Sequence, residues 1–348
     1  MDGIKIGLIG GSGLGEAMLR QTQGTRHEVD TPFGQPSDAI TETEWAGLPV
    51  FFLSRHGPGH TFGPSQVPYR ANLFALKKLG VTHVIASGAV GSLREGFKPR
   101  DLVIPDQLID KTFRRPGTFF ERTAVHVELS EPFCPVLRRT LLEVAREGST
   151  FGVQGSGKNE RGNGGGEAEP VAEASPASPE PRTLNPEPYT VHDRGCYVCM
   201  EGPAFSTRAE SLMHRLWGGD LIGMTAMPEA KLAREAEMSY ALVALVTDYD
   251  CWRRPSAAAG AQAEAPATPL DPYTLLKEIV ANLNAATENA IGLIRRTVQR
   301  IAERGEELGL AGAPAREALR MAIWSDKSRI PPDEVERLGP LWMKYFER

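Results

Sequence analysis

The chain has 348 residues, and its 44 acidic and 39 basic side chains are mixed along the sequence to a formal charge of −5, which lacks the basic blocks of a nucleic-acid binder. No apolar run approaches the roughly 18 residues that cross a bilayer, so no membrane partner is expected. Four cysteines are too few for a disulfide scaffold, and Met1 leads into a strand pattern without the cationic start of a signal peptide; a cytoplasmic protein with reduced thiols is expected.

In chain order, short β-rich runs alternate with helical patterns, the mark of an α/β sheet in one domain of ordinary enzyme size. Ile4 to Ile9 and Val50 to Leu53 read as buried strands. Tyr69, Leu73 and Leu76 share one face of a helix that ends before Gly80. Strands follow at Val81 to Ser87 and Asp101 to Pro105, and Val191 to Glu201 is strand-like, leading through Gly202-Pro203 into a helix. Thr207 and Glu210 form a capping box at the start of the next helix. Tyr240 to Thr247 is the most apolar strand, and a long helix is expected from about Pro272 to Arg304. Two stretches rich in Gly, Pro, Ala and Glu, 148–188 and 254–269, have almost nothing to bury and are expected as disordered insertions. Short helical pieces close the chain, as a C-terminal helical extension over 306–348.

Three strand ends carry groups suited to an anion. Gly10-Gly11-Ser12-Gly13-Leu14 follows the first strand, where glycines turn backbone N–H groups outward and Ser12 adds a hydroxyl. A dinucleotide fingerprint fits poorly, because Glu16 stands where a third small residue belongs and Asp30 runs into the turn Thr31-Pro32-Phe33-Gly34. Ser54-Arg55-His56-Gly57-Pro58-Gly59-His60 follows the second strand, with Arg55 as a fork for a phosphate dianion and both histidines as further donors. Ser87-Gly88-Ala89-Val90-Gly91-Ser92 supplies a third Gly-containing end. Each alone also reads as a plain turn or polar loop, but strand ends on one side of such a sheet converge on a crevice.

Thr247-Asp248-Tyr249-Asp250-Cys251-Trp252 follows the apolar strand, and extended geometry would send both carboxylates to one side. They suit either a divalent metal or the N6–H and N7–H edge of a protonated adenine, for which one carboxyl could deliver the N7 proton. A pair of solvated loop aspartates is the plain alternative. Cys196-x-x-Cys199 lacks a second pair and lies in a strand pattern that points the two thiols apart, which disfavours zinc or redox chemistry. Spacing alone assigns no role to Glu201 or Glu229.

Taken together, Gly10-Gly11-Ser12-Gly13-Leu14, Asp30-Thr31-Pro32-Phe33-Gly34, Arg55-His56-Gly57, Gly91-Ser92-Leu93-Arg94-Glu95, Glu131-Pro132-Phe133-Cys134-Pro135, Glu201-Gly202-Pro203, Phe205-Ser206-Thr207-Arg208-Ala209-Glu210, Met224-Thr225, Pro228-Glu229 and Thr247-Asp248-Tyr249-Asp250-Cys251-Trp252 occur in the order seen in one family. The chain resembles the S-methyl-5'-thioadenosine phosphorylases of the trimeric purine nucleoside phosphorylase superfamily. The resemblance implies one domain over 1–305, with a central mixed, partly barrel-like sheet flanked by helices. It implies phosphate held by Ser12, Arg55, His56, Gly88, Ala89 and Thr225, the ribose against Met224, and the base at Phe205, Ser206, Asp248 and Asp250. It implies a homotrimer in which His126, and more weakly Leu270 and Tyr273, reach a neighbour's 5' pocket. Inorganic phosphate is the implied co-substrate, with no metal and no organic cofactor. The rival readings are a phosphorylase for adenosine, inosine, guanosine or methylthioinosine, a nucleoside-binding regulatory protein, and a metal-dependent enzyme using the two aspartates.

Overall fold

The computed structural model describes residues 3–21, 23–147, 151–154, 189–253 and 272–346. The first half of the chain gives β1 (Ile6–Gly10), α1 (Leu14–Gln21), β2 (Thr25–His27), β3 (Ile40–Trp45), β4 (Leu48–Ser54), α2 (Tyr69–Lys78), β5 (His83–Ser92), β6 (Leu102–Val103), β7 (Gln107–Lys111) and α3 (Pro135–Glu147). The second half gives β8 (Phe151–Gln154), β9 (Tyr189–His192), β10 (Cys196–Met200), α4 (Arg208–Leu216), β11 (Leu221–Gly223), α5 (Ala226–Glu235), β12 (Ser239–Asp248), α6 (Pro272–Arg304), α7 (Pro332–Arg337) and α8 (Gly339–Trp342).

The strands form one mixed sheet in the order β2-β3-β4-β1-β5-β12-β6-β9-β8. Its centre, β4-β1-β5-β12, is parallel throughout. Helices cover both faces, which is why these strands are almost continuously apolar. Alternate residues feed opposite sides: Leu242, Ala244 and Val246 join the cluster holding Leu73 and Trp342, while Ala241, Val243 and Leu245 join that of Leu141 and Ile294. The C-terminal segment shares these cores, with Leu310 and Ala313 in one and Leu338, Leu341 and Trp342 in the other.

At its C-terminal end β5 changes partners. Ser92 and Gly91 pair with β11, which carries β10 and then β7 as a branch off the main sheet. The sheet therefore curls at this edge, and the curl corrects one expectation. Val191 to Glu201 is not one strand but β9 and β10, because the chain leaves β6 and joins β7 and β11 on either side of Gly195. The break is held by Gly195 N–H donating to Asp106 and Cys196 N–H to Asp220. The expected insertion 148–188 holds one regular piece, β8, whose Phe-Gly-Val-Gln sequence alternates apolar residues and pairs in parallel with β9. The rest of it, and all of 254–269, lie outside the described residues.

Because the four central strands run in parallel, their C-terminal ends meet along one edge. Gly10, Ser54 and Asp248 end β1, β4 and β12 there, beside the last residues of β5. The crevice of an open parallel sheet lies outside this edge.

Candidate active site

A cavity of about 290 Å³ opens at that edge, a size for a small molecule and not for a polymer. Ser12, Arg55, His56, Gly88, Ala89, Phe205, Ser206, Met224, Thr225, Asp248 and Asp250 all line it, joined by His60, Ile279 and Leu283. His126 does not; it is exposed and stacks edge-on against Trp324, 4.6 Å between ring centroids. Leu270 lies outside the described residues, as does the side chain of Tyr273.

At the inner end, Gly11 N–H donates to Ser87 Oγ at 3.2 Å. Only glycine fits at 11, since a β-carbon would stand 2.7 Å from both Arg55 Nη1 and the Ser87 carbonyl oxygen. The Arg55 guanidinium is fully buried. It donates through Nε and Nη2 to the two oxygens of Glu229, each at 2.8 Å, and through Nη1 to the Ser87 carbonyl at 2.7 Å. Of its five N–H donors these bonds use three. Tyr240 O–H donates to Glu229 Oε1 at 2.8 Å, so the carboxylate is pinned from both sides. Burial alone would lower the Arg55 pKa, but the Glu229 carboxylate more than offsets it and holds the guanidinium firmly charged.

His56 departs from the donor role that its sequence context suggests. Its Nδ1 lies 2.8 Å from the Phe62 carbonyl, which can only accept, so Nδ1 carries the proton and Nε2 is an acceptor in the neutral ring. Burial, reinforced by Arg55, pushes its pKa down to about 4, so the ring is neutral near pH 7. His60 stacks on it with centroids 4.2 Å apart.

At the outer end, the two aspartates meet in the same cavity by a different route from strand alternation. β12 stops at Asp248, and the chain turns through Asp250, whose φ is 41°. The turn lets Asp250 N–H donate to Asp248 Oδ2 at 2.9 Å, while Thr247 O–H donates to Oδ1 at 2.6 Å. Burial and then the neighbouring Asp250 charge raise the Asp248 pKa, against the pull of these two hydrogen bonds. Ser211, buried on α4, donates its hydroxyl to Asp250 Oδ2. The Thr207–Glu210 capping box is fully formed and fixes where α4 starts. Phe205 borders this end and is 79% exposed.

Between the ends, Met224 sits on a loop held by Arg115, which donates from Nη1 to the carbonyls of Met224 and Met227 at 2.5 and 2.7 Å. Glu201 holds Arg115 at 3.1 Å and accepts from Ser65 O–H and the Phe113 and Arg114 N–H groups. Against the upward push of burial, these bonds bring the Glu201 carboxyl down to about 2.

Glu201, Glu229, Arg115 and Ser211 are thus residues that spacing alone leaves without a role. A signal for Glu229 is present in the sequence: it stands three, four and seven positions before Leu232, Ala233 and Ala236, all buried, so an acid on that helical stripe requires a buried cation. Cys199 Sγ accepts from Met227 N–H at 3.3 Å, and no group of three His, Cys, Asp or Glu among the described residues is arranged to hold a metal.

Residues 5–299 match the family model described as Phosphorylase superfamily. The S-methyl-5'-thioadenosine phosphorylase of Thermosynechococcus vestitus is 39% identical over 343 residues, covering 98% of this chain and 99% of its own length. Among solved structures, a methylthioadenosine phosphorylase from an antarctic soil metagenomic library is 36% identical with a TM-score of 0.72, covering 98% of this chain and 99% of that one. The methylthioadenosine phosphorylase from Schistosoma mansoni in complex with adenine is 31% identical with a TM-score of 0.72, covering 92% and 99%.

Proposed function

We propose, from the premise that this chain belongs to the S-methyl-5'-thioadenosine phosphorylases of the phosphorylase superfamily, that it catalyses the reversible phosphorolysis of S-methyl-5'-thioadenosine to adenine and 5-methylthioribose 1-phosphate. One observation carries the reading: a buried arginine with glycine-rich strand ends and a pair of carboxyl groups line the same small cavity.

In this reading the phosphate dianion lies against Ser12, Thr225, the Gly88–Ala89 backbone and Arg55. The neutral His56 accepts at Nε2 from the hydroxyl that monohydrogen phosphate retains. The sugar spans Met224 and His60, and its 5' substituent meets Ile279 and Leu283, which are apolar and so suit a methylthio group. As the C1'–N9 bond lengthens, its electron pair moves to the purine and positive charge grows on the ribose ring. The phosphate stabilises that cation and then bonds C1' through one of its oxygens. Protonated Asp248 gives its proton to N7, and Asp250 accepts from the N6 amino group. A fixed charge interaction of this kind is worth roughly 3–4 kcal/mol. Inorganic phosphate is the co-substrate, and these steps call for no metal or organic cofactor.

The residues 1–305 carry this chemistry, and the protein works as a homotrimer in the cytoplasm. Support for a subunit contact comes from the exposed Trp324, 72% accessible, on which His126 stacks, and from Met321 beside it in the chain, 84% accessible. Sedimentation velocity tests it, with a monomer as the refuting outcome.

The decisive assay is phosphate-dependent release of the free base from S-methyl-5'-thioadenosine, adenosine and inosine. The expected order places methylthioadenosine first and inosine last, because an ionised carboxylate repels O6. Turnover of inosine above both adenine nucleosides would overturn the base assignment. Stoichiometric nucleoside binding without base release would make the protein a binder and not an enzyme.

A further inference from the structure

β12 runs in register with β5 as far as Val246, which pairs with Val90; Asp248 then pairs with the very next residue, Gly91. Thr247 is therefore one residue too many, a bulge that falls out of the ladder. Bulges re-aim the chain that follows them, and this one stands directly before Asp248, whose Oδ1 accepts the Thr247 hydroxyl at 2.6 Å. A bulge carbonyl without a ladder partner has to find another donor.

Asn282 on α6 supplies it. Its Nδ2 donates to the Thr247 carbonyl at 2.9 Å, and its Oδ1 accepts from Arg100 Nε at 3.0 Å. A carbonyl only accepts and a guanidinium only donates, so a single orientation of the amide satisfies both. Arg100 closes the ring, because its own backbone N–H donates to the carbonyl of Val246 at 2.8 Å. It does so from a φ of 79°, a region that residues other than glycine rarely occupy. Both residues of β12 that lead into Asp248 are thus held from beyond the strand. Asn282 does not line the cavity, although Ile279 and Leu283 of the same helix do.

We propose that Asn282 is a positioning residue for the acid: its amide pins the bulge at Thr247 and so fixes where Asp248 presents its carboxyl group to N7. The inference rests on the phosphorolysis reading above and deepens its base end.

Asn282→Asp keeps the acceptor for Arg100 and sets an oxygen against the Thr247 carbonyl, so it breaks one contact only. This variant should lower kcat for methylthioadenosine about 5- to 50-fold, the effect of a misplaced reacting group. The phosphate KM should stay within about twofold, since the amide meets β12 and not the Arg55 end. The loss should be equal for adenosine to within about twofold, because the amide holds the strand end and not the 5' wall. Asn282→Leu, uncharged and of similar size, should give the same fall in kcat and covers the case in which Asn282→Asp fails to fold. In an Asp248→Asn background, Asn282→Leu should add less than about twofold, because the carboxyl group it places is gone. Unchanged kcat in the Asn282 variants, a matching rise in phosphate KM, a loss confined to methylthioadenosine, or full additivity with Asp248→Asn would each overturn the proposal. Wild-type protein that releases no adenine with phosphate sinks the phosphorolysis reading itself, and wild-type kcat in Asp248→Asn sinks the acid assignment; both are separate outcomes from these.

Discussion

The inner and outer ends of the cavity handle buried charge in opposite ways. At the inner end a cation is cancelled in place: Arg55 is locked to Glu229 by two bonds of 2.8 Å, and Tyr240 and Ser87 complete the frame. At the outer end like charges are set together, and the partners of Asp248 and Asp250 are Thr247, a backbone N–H and Ser211. Cancelled charge gives a rigid cradle that an anion enters without reorganisation. Burial, with a like charge set beside it, raises the pKa of the Asp248 carboxyl group and so favours the form that can give a proton to a base. Rigidity serves the group that attacks, and a poised proton serves the group that leaves.

The largest test of this contrast is Asp248→Asn. If the outer end works by delivering a proton, kcat for methylthioadenosine should fall by about 10²–10⁴-fold. Thermal stability should not fall, since relieving like charge costs nothing. A variant keeping more than a tenth of wild-type kcat would show that Asp248 is not the acid.

Glu229→Gln should do the reverse, with stability lost before chemistry. Removing one partner of a fully buried ion pair typically costs about 3–5 kcal/mol. Urea denaturation should show a loss of that order, together with a raised phosphate KM because the guanidinium is no longer held. A Glu229→Gln midpoint equal to that of wild type would mean that the pair is not what orients Arg55.

The same contrast explains what could be read from the residues alone. Ser12, Arg55, Gly88 and Asp248 announce themselves because each follows an apolar strand, and parallel strand ends converge whatever the details of the fold. Their supports do not. Glu229 lies 174 residues from Arg55, and Ser211 lies 39 from Asp250, so no local spacing reveals either contact. The break between β9 and β10 was hidden for a related reason: both halves are apolar, and only the change of sheet partner at Gly195 separates them. His56 was legible as a site residue but not as an acceptor, because its tautomer depends on the Phe62 carbonyl.

Titration offers a smaller test in which the two ends oppose each other. His56 and the buried His83 both have pKa values pushed down to about 4 from 6.5 by burial. Between those values the unfolded chain takes up protons that the folded one refuses, so stability is full above about 6.5 and falls as pH drops toward 4. Asp248 has the other sign: its raised folded pKa means that the folded state holds the proton longer, so its contribution rises as pH falls. Glu235, raised to about 7 by burial, acts in the same direction as Asp248. In urea midpoints measured from pH 7 to 4.5, His56→Gln should flatten the acid-side loss and Asp248→Asn should steepen it. Parallel slopes in wild type and both variants would remove the opposition.

Ser211→Ala is the mildest change and the sharpest probe of the outer end. Asp250 sits in a turn at positive φ, so its backbone does not by itself hold the carboxylate toward the base. The Ser211 hydroxyl, carried on the capped helix α4, is the side-chain donor that does. A hydrogen bond to a charged group contributes about 1.5–3 kcal/mol, so kcat/KM for methylthioadenosine should fall by roughly 10- to 100-fold. Most of the loss should lie in nucleoside KM, because Asp250 grips the base before and during the reaction while Asp248 still delivers the proton. Phosphate KM should not move, since among the described residues no bond links α4 to the Arg55–Glu229 frame. A rise in phosphate KM matching that for the nucleoside would mean that the two ends are coupled through the sheet edge, and that the independence argued from their separate supports is wrong.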